Sequence, residues 1–159
     1  MTSDAKYCID TSCLINFSRY YPTDIFHTLW TNLSALIKSH RLIAPREVKS
    51  EIEKGHDYLV SWAKQHSEIF INENESIIEM IRNIMSTFPK LIDPTDLSAK
   101  ADPWVIALAV VENKSGLNCI VVADERTKDN PPSIPFLCNH YGIECLKGFD
   151  FFRQEGWSF

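Results

Sequence analysis

Five carboxylates fall where the hydrophobic pattern breaks. Asp10 halts the apolar run Tyr7-Cys8-Ile9 and is followed at once by Thr11 and Ser12. Glu51 lies in REVKSEIEKG, three residues after Val48, and Asp102 precedes Pro103 at the head of WVIALAVV. Asp124 and Glu125 close the stretch NCIVVADE. Carboxylates that share one pocket repel, which raises the pKa of at least one unless a cation offsets the charge. An all-oxygen donor set suits Mg²⁺ or Mn²⁺, with water in the remaining octahedral positions. Such an ion activates a water and neutralises charge developing on a phosphodiester during in-line displacement. That chemistry needs no Ser, Cys or His nucleophile. Thr11 and Ser12 are placed to hydrogen-bond the first acid or a metal-bound water.

Each acid also has a local explanation. Asp102 reads as a helix N-cap before a first-turn Pro, and Asp10 as the cap of a following helix. Glu51 suits a solvated helix face, and Asp124-Glu125 suit the start of the polar loop DERTKDNPP. Taken one at a time, these readings are adequate. They leave unexplained why acids recur at strand ends and helix starts in this order.

The elements that must position these groups alternate between strand and helix. Lys6–Asp10 reads as a short strand whose lack of polar alternation predicts a central place in a parallel sheet. Pro22-Thr23 open a helical pattern with Phe26, Leu29, Trp30, Leu33 and Ile37 at helical spacing. RLIAP is a second strand, and REVKSEIEKG a helix ended by Gly55. DYLVSWAKQH reads as a helix, EIFIN as a brief strand and ESIIEMIRNIMSTF as a helix, with KLIDPTDLSAKA as a connection. After the Asp102 helix come NCIVVADE as the clearest strand, FLCNHYG as a short helix, IECL as an edge strand and FDFFRQEG as a terminal helix. This order predicts one α/β domain over residues 1–159, a three-layer α/β/α sandwich on a mainly parallel sheet of four to five strands. In such sheets the functional crevice lies beyond the carboxyl ends of the strands. Asp10 and Asp124-Glu125 are expected at that edge.

Bulk properties narrow the classes further. The chain has 159 residues, enough for one sizeable core, and carries a net charge of −5 from 16 basic and 21 acidic residues. A broad basic footprint for nucleic acid is therefore not expected from charge. The five cysteines, Cys8, Cys13, Cys119, Cys138 and Cys145, lack zinc-ribbon or disulfide spacing and read as reduced, mostly buried thiols of a cytoplasmic protein. His27, His40, His56, His66 and His140 show no ligand spacing. No secretory leader or membrane span is expected.

The blocks IDTSCLI (Ile9–Ile15), VKSEI (Val48–Ile52), KADPWVIALA (Lys100–Ala109) and VVADE (Val121–Glu125) together resemble the four signature blocks of PIN domains. These are metal-dependent ribonucleases common among the toxins of toxin–antitoxin pairs. The resemblance covers nearly the whole chain in the right order, and the first and third blocks are its most specific parts. It implies a PIN-like fold and an endoribonuclease that hydrolyses RNA by metal-activated water, with Mg or Mn bound by Asp10, Glu51, Asp102 and a fourth acid. The family's fourth block reads Thr-any-Asp. Here Ala123 stands for the Thr and Glu125 is in register, with Asp124 one residue earlier, so both are candidates. Ser12 matches the hydroxyl that supports the first acid. A cognate antitoxin, or a second copy in a homodimer, is the implied protein partner, with Trp62, Ile78 or Met85 as candidate contacts. Arg46, Lys49, Lys54, Arg126 and Lys128 are candidates for RNA phosphate contacts.

Two other readings compete. A catalytically weak PIN scaffold would bind RNA or protein without cutting, as the altered fourth block suggests. A phosphatase of the haloacid-dehalogenase type also ends its first strand on Asp, but it needs a second Asp where Ser12 stands.

Overall fold

The structure is a computed structural model that describes residues 4–55, 57–91, 100–129 and 132–159. Much of the expected connection KLIDPTDLSAKA, together with His56 and part of the DNPPSIP loop, lies outside those residues. Five strands, β1 (Lys6–Ile9), β2 (Leu42–Pro45), β3 (Phe70–Ile71), β4 (Cys119–Val122) and β5 (Cys145–Leu146), form one sheet in the order β3-β2-β1-β4-β5. Every pairing is parallel, with Tyr7 opposite Leu42 on one side and Ile120 on the other. The predicted α/β sandwich on a parallel sheet is the observed fold.

Strands β1, β2 and β4 are apolar because helices cover both faces of the sheet. In β1 the alternation is visible: Cys8 Sγ contacts the Val105 carbonyl on α6 (Asp102–Lys114), while the Tyr7 ring meets Phe151 of α8 (Gly148–Glu155) edge-on at 4.7 Å. Successive side chains of a strand point to opposite faces, so the two helices lie on opposite sides. α6 is buried on every side over its middle, from Val105 to Val110. It packs on β1, β2 and β4 and carries α5 (Glu75–Thr87) on its outer side. That double coverage explains why its sequence shows no polar stripe.

The segment after Asp10 corrects the expected helix boundaries. α1 (Thr11–Tyr20) starts directly after β1, and α2 (His27–Lys38) begins at His27 rather than Pro22. Residues 22–26 instead form a turn in which the Ile25 and Phe26 N–H groups donate to the Pro22 carbonyl. The turn is pinned by Trp30 Nε1, which donates to the Tyr21 carbonyl at 2.7 Å. The remaining helices are α3 (Arg46–Ile52), α4 (Asp57–Gln65) and α7 (Ile134–Tyr141).

Trp62, a candidate partner contact, is buried against Trp30 and stacked on His66, whose ring nitrogens contact the Ser34 hydroxyl and the Trp62 carbonyl. It is a core residue and presents no docking surface, whereas Ile78 and Met85 are half-buried. At the amino end of the sheet, Glu155 accepts from both Tyr7 Oη and Arg41 Nη2. Among the described residues all five cysteines are free, and no helix is long and apolar enough to cross a membrane.

Candidate functional site

The chain leaves β1 in one direction for β2 and returns on its other side as β4, so the strand order reverses between β1 and β4. A parallel sheet opens a crevice at the carboxyl edge of such a switch point. Asp10 follows β1 directly, and Asp124 and Glu125 follow β4 after Ala123. Helices returning antiparallel to the strands bring their amino termini to the same edge, where N–H groups and the helix dipole favour negative charge.

Four of the five acids accept a backbone N–H from one of those termini. Asp10 is the N-cap of α1, accepting from the Ser12 N–H at 3.2 Å. Only 3% of Asp10 is exposed, and the neighbouring Thr11 hydroxyl is buried without a hydrogen-bond partner among the described residues. Glu51, in the last turn of α3, accepts from the Ala101 N–H at 2.7 Å. Ala101, whose carbonyl accepts from the Val105 N–H, is the N-cap of α6, and Asp102 occupies the first helical position rather than the expected cap. The capping acceptor comes from Glu51, which leaves the Asp102 carboxylate without a hydrogen bond among the described residues.

The two candidates for the fourth acid separate. Asp124 is occupied structurally: Oδ1 accepts from the Gly148 N–H at 2.8 Å and Oδ2 from Asn16 Nδ2 at 3.1 Å. Its own N–H donates to Ser12 Oγ at 3.1 Å. Glu125 accepts from the Ile134 N–H at 3.1 Å, at the start of α7, and its charge acts on both Asp102 and Glu51. Asp10, Glu51, Asp102 and Glu125 thus form one electrostatic cluster, with Asp124 at its margin beside Asp10.

The titration behaviour follows from that geometry. Burial, then the charges of Asp10, Glu125 and Glu51, push the Asp102 carboxyl up to about 7 against a weak opposing pull from Lys100. Burial also raises Asp10, where hydrogen bonding from Ser12 pulls the other way. Glu51 and Glu125 are raised chiefly by burial, and each is pushed further by the charge of Asp10. Such a cluster is costly without a compensating cation.

The donor chemistry, hard oxygens short of positive charge, fits a divalent ion of the Mg²⁺ or Mn²⁺ type. Among the described residues, however, no three His, Cys, Asp or Glu side chains are placed close enough to hold a metal ion. The acids share a basin but do not form a closed cage. A site of this kind depends on water for much of its coordination, which is how Mg²⁺ is ordinarily held.

Residues 7–159 match a family described as a domain of unknown function, DUF4411. The chain belongs to the DUF4411 family. No curated protein matches it. In this DUF4411 chain the cluster is bordered by a cavity of about 400 Å³ lined by Asp102, Glu125, Arg126, Lys128, Pro132 and Ser133. Arg126 and Lys128 are exposed there. Arg46 is instead paired with Glu73 at 2.9 Å and Lys49 with Glu53 at 3.9 Å, and Lys54 acts on Glu51.

Sequence reasoning missed Asn16 and Gly148, which hold Asp124. The available signal was helical spacing: Asn16 lies four residues after Ser12, on the same face of α1. The role of Gly148 comes from its backbone N–H at the start of α8, which has no side-chain signature. Another cavity, of about 890 Å³, lies between α5, α6 and α7 and contains none of the clustered acids.

Proposed function

We propose that this chain is a divalent-metal-dependent endoribonuclease, with Asp10, Glu51, Asp102 and Glu125 as the acids that would hold Mg²⁺ or Mn²⁺. The observation carrying this reading is the meeting of four carboxylates from distant parts of the chain at the switch point, where burial, reinforced by the charges of Asp10, Glu125 and Glu51, lifts Asp102 to about 7. When bound, the ion would supply an activated water and charge neutralisation at a phosphodiester. Ser12 orients Asp10 through its backbone N–H and ties the start of α1 to the end of β4 through Oγ. Arg126 and Lys128 would set the phosphate backbone across the acids. Asp124 holds α8 in place. RNA as substrate, and a role as the toxin of a toxin–antitoxin pair with a cognate antitoxin as partner, rest on the resemblance of the four blocks to PIN domains.

The test is cleavage of a mixed pool of single-stranded and structured RNAs by the purified chain with Mn²⁺. Cleavage is expected for the wild type and lost in Asp10→Asn and Asp102→Asn, with circular dichroism unchanged. Wild type that cuts nothing, or variants that cut equally well, would overturn the reading.

A second reading is a PIN-like scaffold that binds RNA or protein without cutting. Ala123 in the fourth block and the open spacing of the acids favour it. It predicts no saturable Mn²⁺ binding that depends on Asp10.

A further inference from the structure

A second cavity, of about 410 Å³, adjoins the acid cluster on the side away from Asp102. Its volume is in the range of small-ligand sites. It shares Glu125 and Arg126 with the cavity that contains Asp102, so the two form one trench running past the acids. The character of the trench changes along its length. At the Asp102 end the lining is charged, with Arg126 and Lys128 beside the carboxylates. At the far end it is aromatic, with Phe17, Tyr20, Tyr21 and Phe149, and Lys147 is exposed at its margin.

Two of those rings are not where burial would put them. Tyr20 is 61% exposed and Phe149 is 60% exposed, although both are large apolar groups. Phe149 is nonetheless fixed in position, because its ring packs against Tyr21 at 6.4 Å and Phe152 at 6.3 Å. A ring anchored on one side and open on the other is a stacking platform. An aromatic platform with cationic neighbours, continuous with a phosphate-handling site, matches the chemistry of an unpaired nucleotide. The base stacks on the rings while Arg126 and Lys147 take the adjoining phosphates.

We propose that the Tyr20–Phe149 cavity is a subsite for one unpaired RNA nucleotide next to the phosphate held at the acids, so that the substrate is single-stranded or looped RNA rather than duplex. This deepens the nuclease reading and rests on it for the position of the phosphate. Bases stacked within a duplex cannot enter the cavity, which sets the strandedness preference. Stacking uses a face that every base has, so the subsite selects unpaired geometry with little preference among bases.

The test separates this subsite from the chemistry. Fluorescence anisotropy is measured with a labelled single-stranded oligoribonucleotide in Mn²⁺, on the full chain carrying Asp102→Asn so that cleavage does not interfere. Adding Tyr20→Ala or Phe149→Ala is expected to weaken binding about tenfold. Leu117→Ala, at an exposed apolar residue just before the amino end of β4, serves as control and should leave binding unchanged. A 5-iodouridine oligonucleotide should crosslink to Tyr20 or Phe149, and duplex RNA should bind more weakly than single strands. Unaltered binding in both aromatic variants, crosslinks mapping elsewhere, or no oligonucleotide binding at all would overturn the subsite. Wild type that binds RNA through these rings but never cuts it would sink the nuclease reading and leave the subsite standing. Wild type that cuts while both aromatic variants bind normally would do the reverse.

Discussion

The carboxylate of Glu51 accepts the backbone N–H of Ala101 at 2.7 Å, so an acid of α3 caps the helix on which Asp102 sits. Glu51 therefore has two separable duties, as acceptor and as charge. Glu51→Gln keeps a carbonyl oxygen for the Ala101 N–H and removes the charge. It is expected to unfold in urea at or above the wild-type midpoint while losing RNA cleavage. Glu51→Ala removes the acceptor as well and should cost about 1–2 kcal/mol, the usual loss for a deleted cap. Equal stability of the two variants would show that the bond contributes nothing.

Asp102 gives a prediction with a defined sign. Its carboxyl titrates at about 7 in the folded chain, against an ordinary value of 3.8. The folded state thus holds this proton more tightly than the unfolded state, and stability falls as pH rises between those values. Well below pH 4 both states are protonated and the penalty vanishes; above about pH 7 it is complete. Asp102→Asn should stabilise the metal-free chain at pH 8, on the order of 4 kcal/mol for about 3 units at 1.4 kcal/mol per pKa unit, and have almost no effect at pH 3. Urea unfolding at the two pH values, in chelator, is the measurement. A variant less stable than wild type at pH 8 would show that Asp102 is not electrostatically strained.

The same repulsion predicts linkage with metal. A divalent ion that satisfies the cluster binds the folded state alone, so Mn²⁺ should raise the wild-type melting temperature in a saturable way. The shift should shrink as pH falls from 8 to 6, because the Asp102 proton must leave before the ion binds. Asp10→Asn, which removes the most buried acid of the group, should abolish the shift. Thermal melts across a Mn²⁺ series at both pH values decide it, and a shift that survives Asp10→Asn places the ion elsewhere.

The layers and the central strands were legible in the sequence because parallel strands covered on both faces read as unbroken apolar runs, as at Tyr7–Ile9 and Cys119–Val122. That alone put Asp10 and Asp124-Glu125 at one edge. The start of α2 was misread because Pro22 looks like a first-turn proline, whereas the Tyr21–Phe26 ring contact and the bond from Trp30 Nε1 to the Tyr21 carbonyl pin it in a turn. The choice between Asp124 and Glu125 was illegible for another reason. Beyond Ala123 the chain has left the strand, and each side chain points where a backbone N–H from α8 or α7 draws it. Those donors lie at residues 148 and 134, and a backbone donor has no residue type to read.

That division of labour is itself testable at Gly148. A Cβ there would lie 2.9 Å from Phe17 Cε1 and 3.4 Å from Asp124 Oδ2, so Gly148→Ala must move the Phe17 ring or the start of α8. Phe17 is buried and packed against Phe152 at 5.2 Å, so it has little room to yield. A loss of about 1–3 kcal/mol is expected, as for other overpacked sites. Asp124→Asn acts on the same joint by weakening the acceptors for Gly148 and Asn16, and should also destabilise the chain. Neither change touches the cluster of Asp10, Glu51, Asp102 and Glu125 directly, so below the melting temperature both variants should keep measurable Mn²⁺-dependent cleavage. Glu125→Gln should show the opposite pattern, with stability kept or raised and cleavage lost. Should Asp124→Asn lose cleavage with unchanged stability while Glu125→Gln retains it, the two adjacent acids have exchanged roles.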